Sequence, residues 1–249
     1  MKNIYESLKT KILENPIHND TITFDLQRFN KELTMMAQES VMNILRAYNL
    51  YNTSFKYYQG LNYIVGFLLL FTQNETIVFE LLNNIINKLS LGKLHTHNPL
   101  IKLKYYQMDR LVNLYLPQLA ESFRVENIDS SHYVTRWLST LFTNYLDCIQ
   151  CLDKELKPFK ELLVVLWDSF LSKGWKAAFK VAVYLLGKAK KEILSVDTED
   201  VVCVLSKIYK KKIWTEIYSI TDFKQELNKI KVTNSMLEVF EAEFNQIYN

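Results

Sequence analysis

Two short stretches hold the residues whose types and spacing suit chemistry. In ITFDLQRF, residues 22–29, Asp25 and Arg28 stand three apart. In a helical turn that spacing puts carboxylate and guanidinium on one face, where the acid can hold the base in place. Taken alone this is a common surface pair worth little. In FKYYQGLNYIVGFLLLF, residues 55–71, the amide of Gln59 sits beside Gly60 at the mouth of a strongly apolar run. Packing a core asks for no amide there, so Gln59 either caps a buried chain end or faces a partner.

Other reactive residues carry less. Cys148 and Cys151 form a C-x-x-C in DCIQC. Zinc would need two more ligands at suitable spacing, and no second pair exists, so two small residues sharing a helix face is the simpler reading. His95 and His97 alternate in LHTHN with no carboxylate cluster around them, which fits a solvated loop. Lys210, Lys211 and Lys212 end a helical pattern, where cations complement the helix dipole. The phosphate cradle GxxxxGK[ST], the dinucleotide motif GxGxxG, HExxH and GxSxG are all missing from the sequence. No metal or cofactor is expected in this chain.

Helices must position these residues. Only 5 Gly and 4 Pro punctuate 249 residues, whereas sheets joined by tight turns consume many of both. Leu33, Met36, Ala37, Val41, Ile44, Leu45 and Tyr48 recur at three- and four-residue steps, which predicts an amphipathic helix over 33–48. Residues 61–72 are apolar around the whole wheel and predict a helix buried on all sides. Further helices are expected over 76–90, stopped at Gly92; after Pro99; from Pro117; over 133–146; over 161–172, stopped near Gly174; and onward from Trp175. Asp197, Thr198 or Asp200 would cap the next one, and Ser235 with Glu238 fits a capping box for the last. The fold expected is all-α, about a dozen helices in an orthogonal or bundled array. Two lobes are expected within one domain spanning 1–249, an N-terminal one over about 1–128 and a C-terminal one over about 129–249, parted near Glu126 to Ser131.

The charge balance, 30 basic against 27 acidic residues for a net +3, argues against nucleic acid or an anionic membrane as the main partner and leaves room only for a local patch. The longest apolar run, Ile64 to Phe71, falls far short of the roughly 20 residues that span a bilayer, so no membrane insertion is expected. MKNIYESLKTKILENP lacks the apolar core of a secretory signal, and three cysteines fit a reducing compartment, so a cytoplasmic protein is expected.

An Ile-x-x-Asp-x-x-Arg segment followed some thirty residues later by Tyr-x-Gln-Gly, with LRAYNLYN leading into it, resembles the TBC domain family of activators of Rab GTPases. The resemblance continues through LYLPQLAESFRVENIDSSHYVTRWLSTLF and LLVVLWDSFLSKGWKAAFKVAVYLL, with a Trp-Asp pair at Trp167 and Asp168, and covers most of residues 20–195 in the family order. It implies that Arg28 is an arginine finger and Gln59 a glutamine finger, both supplied in trans to a GTP-bound Rab that carries the nucleotide and magnesium itself. During hydrolysis charge spreads over the phosphoryl oxygens, and a trans arginine that stabilises it is worth roughly 10³ to 10⁵ in rate. A glutamine amide donates to phosphate while accepting from the attacking water. Neither group needs a shifted pKa, since catalysis here rests on positioned charge. Supporting roles fall to Asp25, which would orient Arg28; to Gly60, which lets backbone approach the partner; to Tyr57 beneath the loop; and to Asn62, Trp167 and Asp168. Such a protein would act in vesicle trafficking, peripheral to endomembranes through its Rab.

The sequence departs from the family in three places. Phe29 and Asn30 follow Arg28 where the family usually continues with Thr and often Pro; Val165 stands where a basic residue commonly precedes the Trp-Asp pair; and the family's Arg-rich opening has no room before Ile22, so its first helices are expected to be either missing or replaced by residues 3–14. An alternative within the same resemblance is a helical module that binds a GTPase or another protein without activating it.

Overall fold

Gly and Pro are scarce, and the computed structural model shows the consequence: α-helices joined by short turns, with no strand among the described residues, which are 2–14, 20–28, 35–55, 57–94, 99–144, 157–196, 205 and 219–248. The side chains of several helix-end residues, Arg28 among them, lie outside the described set, as do Phe29, Asn30, His95, His97, Cys148, Cys151, Asp197, Thr198, Asp200 and Lys210 to Lys212. In chain order the helices are α1 (Lys2–Glu14), α2 (Asp20–Arg28), α3 (Met35–Tyr51), α4 (Leu61–Leu69), α5 (Glu75–Leu89), α6 (Pro99–Tyr115), α7 (Pro117–Val125), α8 (Ser131–Thr140), α9 (Lys157–Lys173), α10 (Trp175–Ile193), α11 (Ile220–Lys229) and α12 (Asn234–Tyr248).

The central pieces are those with the least polar wheels. Seven residues of α4 are buried, Leu61 through Phe67 and Leu68 with only Tyr63 and Leu69 less so, and the helix packs against α3, α5 and α8. Eleven residues of α10 are buried against α6, α8, α9 and α11. One cluster of buried side chains runs from Tyr5 of α1 to Phe240 of α12. Helix α1 earns its place in that core: Tyr5 is fully buried 5.2 Å from the Phe79 ring, and its hydroxyl donates to Glu75 at 2.6 Å beside the Lys9 ammonium. Burial raises the Glu75 pKa, yet the hydrogen bonds from Lys9 and Tyr5 outweigh it and hold the carboxyl below its ordinary value.

Several helix ends differ from the sequence reading for identifiable reasons. Helix α5 stops at Ser90, which takes the left-handed conformation at φ 51° in place of Gly92. Gly92 instead makes room for Phe55, whose ring carbon lies 2.9 Å from where a Cβ would stand. Helix α8 ends at Thr140, short of the expected 146, because Leu141 and Phe142 both adopt positive φ, 50° and 64°. Helix α12 begins at Asn234, one residue before the expected capping box: Thr233 Oγ1 accepts from the Met236 N–H at 3.1 Å, leaving Ser235 inside the helix. Pro99 and Pro117 open α6 and α7, as the fixed proline φ predicts. The loop joining α7 to α8 is bonded to α6, with Ser130 donating from its N–H to Asp109 at 3.1 Å and from its hydroxyl to the Tyr105 carbonyl at 2.8 Å.

Candidate functional site

The segment between α3 and α4 carries Tyr57, Tyr58, Gln59 and Gly60 across the face of α2. Asp25 of α2 is 7% exposed, and its Oδ2 accepts the Tyr57 hydroxyl at 2.8 Å. The same hydroxyl lies 3.4 Å from Oδ1 of Asn62, and that oxygen accepts the Gly60 N–H at 3.2 Å. Asn62 is 1% exposed, and the oxygen of this buried amide in the first turn of an apolar helix ties off the backbone just after Gln59. Burial, then the hydrogen bond to Asp25 and its negative charge, push the Tyr57 phenol far above its ordinary pKa, which keeps the hydroxyl protonated and donating.

Gly60 adopts φ 113°, a backbone state side chains rarely tolerate, and a Cβ there would lie 3.0 Å from Thr140 Cγ2 and 3.5 Å from Ser139 Oγ. The last turn of α8 therefore walls the loop from behind. Tyr58 points inward, 7% exposed, with its ring 5.9 Å from Phe55. Within residues 57–60 Gln59 is the exposed one, while Tyr57 is half-buried and Tyr58 and Gly60 are buried. The Gly60 N–H is answered by Asn62, and Gln59 is exposed.

Helix α2 ends at Arg28, one turn beyond Asp25. On the same helix Phe24 is 57% exposed, a large aromatic held in water four residues before Arg28. Asp25 serves Tyr57, so it links α2 to the loop. Trp167 supports the architecture, 4% exposed, with Nε1 donating to the Leu141 carbonyl at 3.2 Å and its ring 4.7 Å from Phe67 of α4. That indole braces the left-handed turn behind Gly60. Asp168 faces solvent on α9 and fixes no neighbour by a bond to its carboxylate among the described residues. Sequence reasoning missed the wall built by Ser139, Thr140, Leu141 and Phe142, since neither Leu nor Phe signals positive φ.

No group of three His, Cys, Asp or Glu side chains among the described residues could hold a metal ion, and no described helix is long and apolar enough to cross a membrane. An all-helical array whose exposed amide loop is locked to a neighbouring helix by a Tyr–Asp bond defines the class of scaffold. A family model described as the Rab-GTPase-TBC domain matches residues 1–194, and the chain belongs to that family. The chain is 27% identical over 244 residues to Rab GTPase-activating protein tbc-11 of Caenorhabditis elegans, covering 95% of this chain and 24% of that protein. It is 27% identical over 175 residues to growth hormone-regulated TBC protein 1 of Rattus norvegicus, covering 70% of this chain and 56% of the relative. It is 28% identical over 197 residues to GTPase-activating protein GYP5 of Saccharomyces cerevisiae, or 79% of this chain and 20% of the relative. The fold matches the crystal structure of the Chlamydomonas flagellar RabGAP TBC domain at TM-score 0.67 and 20% identity, over 87% of this chain and 71% of that one.

Proposed function

We propose that this chain accelerates GTP hydrolysis by a Rab-type GTPase, supplying Arg28 as arginine finger and Gln59 as glutamine finger in trans. The observation that supports this best is the 2.8 Å bond from Tyr57 to Asp25, which registers the last turn of α2 against the loop that exposes Gln59. Two groups meant to meet one phosphate pocket need such a link, because their separation must be fixed before the partner arrives. The Rab, in its GTP-bound state, carries nucleotide and magnesium. The Arg28 guanidinium spreads onto the phosphoryl oxygens as charge develops, and the Gln59 amide orients the attacking water. The chain meets membranes through its Rab, at the cytoplasmic face of an endomembrane.

Single-turnover phosphate release from a panel of GTP-loaded Rabs tests this. At least one Rab should respond, and Arg28→Ala should lose about 10³-fold of the stimulation, the lower end of the range for a trans arginine. Gln59→Ala should lose about 10²-fold, the usual effect of losing one positioned donor. If wild type and both variants behave alike on every Rab, the finger assignment is wrong. Equal binding of a Rab by wild type and Arg28→Ala, with no hydrolysis in either, would favour the non-activating module that the departures at Phe29 and Asn30 suggest.

A further inference from the structure

Away from the Gln59 loop, helices α9, α10 and α11 enclose a groove of about 420 Å³. Among the described residues its floor is six aliphatic side chains, and its rim carries Lys173, Lys176, Lys180 and Lys224, with Ser169 and Asn228 as the neutral polar residues and no carboxylate in the described lining. None of the four lysines makes an ion pair or hydrogen bond among the described residues. Some cations elsewhere on this surface are answered, as Lys229 is by Glu226 and Arg124 by Glu121.

The cations are also placed against electrostatic preference. Lys176 and Lys180 stand four apart in the first turns of α10, where like charges repel and where the positive end of the helix dipole points. Burial, then neighbouring Lys173 and Lys176, push the Lys180 ammonium below its ordinary pKa. Four lysines line an apolar floor, and the repulsion of Lys180 by Lys173 and Lys176 is positive potential that an anion would relieve.

We propose that this groove binds an anionic phospholipid with a phosphorylated headgroup, lysines on the phosphates and aliphatic floor against the glycerol and upper acyl carbons. Lysine from three helices suits phosphate, which accepts point charges from several directions; a peptide carboxylate is better matched by the planar fork of arginine, and the lining holds none. Two neutral polar side chains offer little to read a peptide backbone. Free phosphate would leave the floor unused, which favours a lipid as its source. The site is independent of the GTPase reading and would give the chain a membrane contact of its own.

Co-sedimentation of the full chain with phosphatidylcholine vesicles containing phosphatidylinositol bisphosphate tests the proposal, against phosphatidylcholine alone and against phosphatidylserine vesicles of matched charge. The bisphosphate vesicles should bind most tightly. Lys176→Gln with Lys180→Gln should weaken that binding about 30-fold, while Lys191→Glu on the far end of α10 leaves it unchanged. Lys224→Gln, on a different helix, should weaken it about 5-fold and guards against a folding defect in the double variant. Equal binding to matched phosphatidylserine, an equal loss in Lys191→Glu, or capture of soluble inositol trisphosphate with no vesicle binding would each overturn it.

Discussion

The Tyr57–Asp25 bond offers a sharp test, because its two partners respond oppositely to each other's removal. The Asp25 carboxylate is 7% exposed, and Tyr57 at 2.8 Å is its donor among the described residues. Tyr57→Phe keeps the ring but takes from a buried charge its donor among the described residues, which should cost about 3 kcal/mol, the top of the range for hydrogen bonds to charged groups. Asp25→Asn keeps an oxygen acceptor and loses only charge assistance, about 1 kcal/mol. In the double variant the unpaired group is a neutral amide, cheaper to bury than a carboxylate, so the total should be about 2 rather than 4 kcal/mol. Asp25→Asn is thus destabilising in the wild type and stabilising on top of Tyr57→Phe. Urea unfolding of the four proteins reads this from midpoints at constant slope. Effects that add to within about 0.5 kcal/mol would refute the link. Tyr57→Phe should also reduce the chain's stimulation of phosphate release from a GTP-loaded Rab by up to about 10²-fold while the protein stays folded, since the loop loses its register against α2.

Three further outcomes follow from the same geometry. Gly60→Ala combines positive φ with a 3.0 Å approach to Thr140 Cγ2 and should cost about 2–3 kcal/mol, or roughly 5–10 °C in thermal unfolding; adding Thr140→Ser, which deletes that methyl, should recover only part, because the backbone strain remains. Burial raises the Asp109 carboxyl from 3.8 to about 6 despite its bonds from Ser130, so the folded chain holds this proton more tightly than the unfolded one. Its stabilising contribution is full below the unfolded value and lost as pH rises through about 6; Asp109→Asn should therefore be more stable than wild type at pH 8 by up to about 3 kcal/mol, with the gap closing toward pH 4 in denaturant titrations. Trp167→Phe keeps a ring against Phe67 but orphans the Leu141 carbonyl and should cost about 1–2 kcal/mol, whereas exposed Asp168→Ala should stay within about 0.5 kcal/mol of wild type in the same unfolding assay.

Much of this fold is legible in the chain because its signals are local. Three- and four-residue spacing marks α3, the unbroken apolar wheel marks α4, and prolines with fixed φ mark the starts of α6 and α7. What is not legible depends on contacts distant in sequence. The left-handed turn at Leu141 and Phe142 is held by the Trp167 indole and by burial of both side chains, so tertiary packing overrides the preference of those residue types. Ser90 in place of Gly92 has the same character, since Phe55 claims the space that makes glycine necessary one turn later. At the candidate site the residue types could be picked out, but the reach of Asp25 to the loop could not: spacing suggests a partner on its own helix, Arg28, whose side chain lies outside the described residues, while the carboxylate accepts from Tyr57, 32 residues away.

That difference bears on how such a site can be dissected. Groups that reach a partner's phosphates must stay in water until it arrives, whereas the groups that aim them must be buried to hold one geometry. Gln59 is exposed and its supports, Asp25, Asn62 and Gly60, are buried. A truncation at Gln59 removes no packed atoms and should leave stability within about 0.5 kcal/mol of wild type while rate collapses. A change at a support removes a buried bond and must lower both. The two classes of residue therefore separate on a plot of lost rate against lost stability, fingers along one axis and supports along the diagonal. Should Gln59→Ala fall on the diagonal, the amide is holding the loop together, and the reading of it as a group that faces a partner gives way to one in which it caps a chain end.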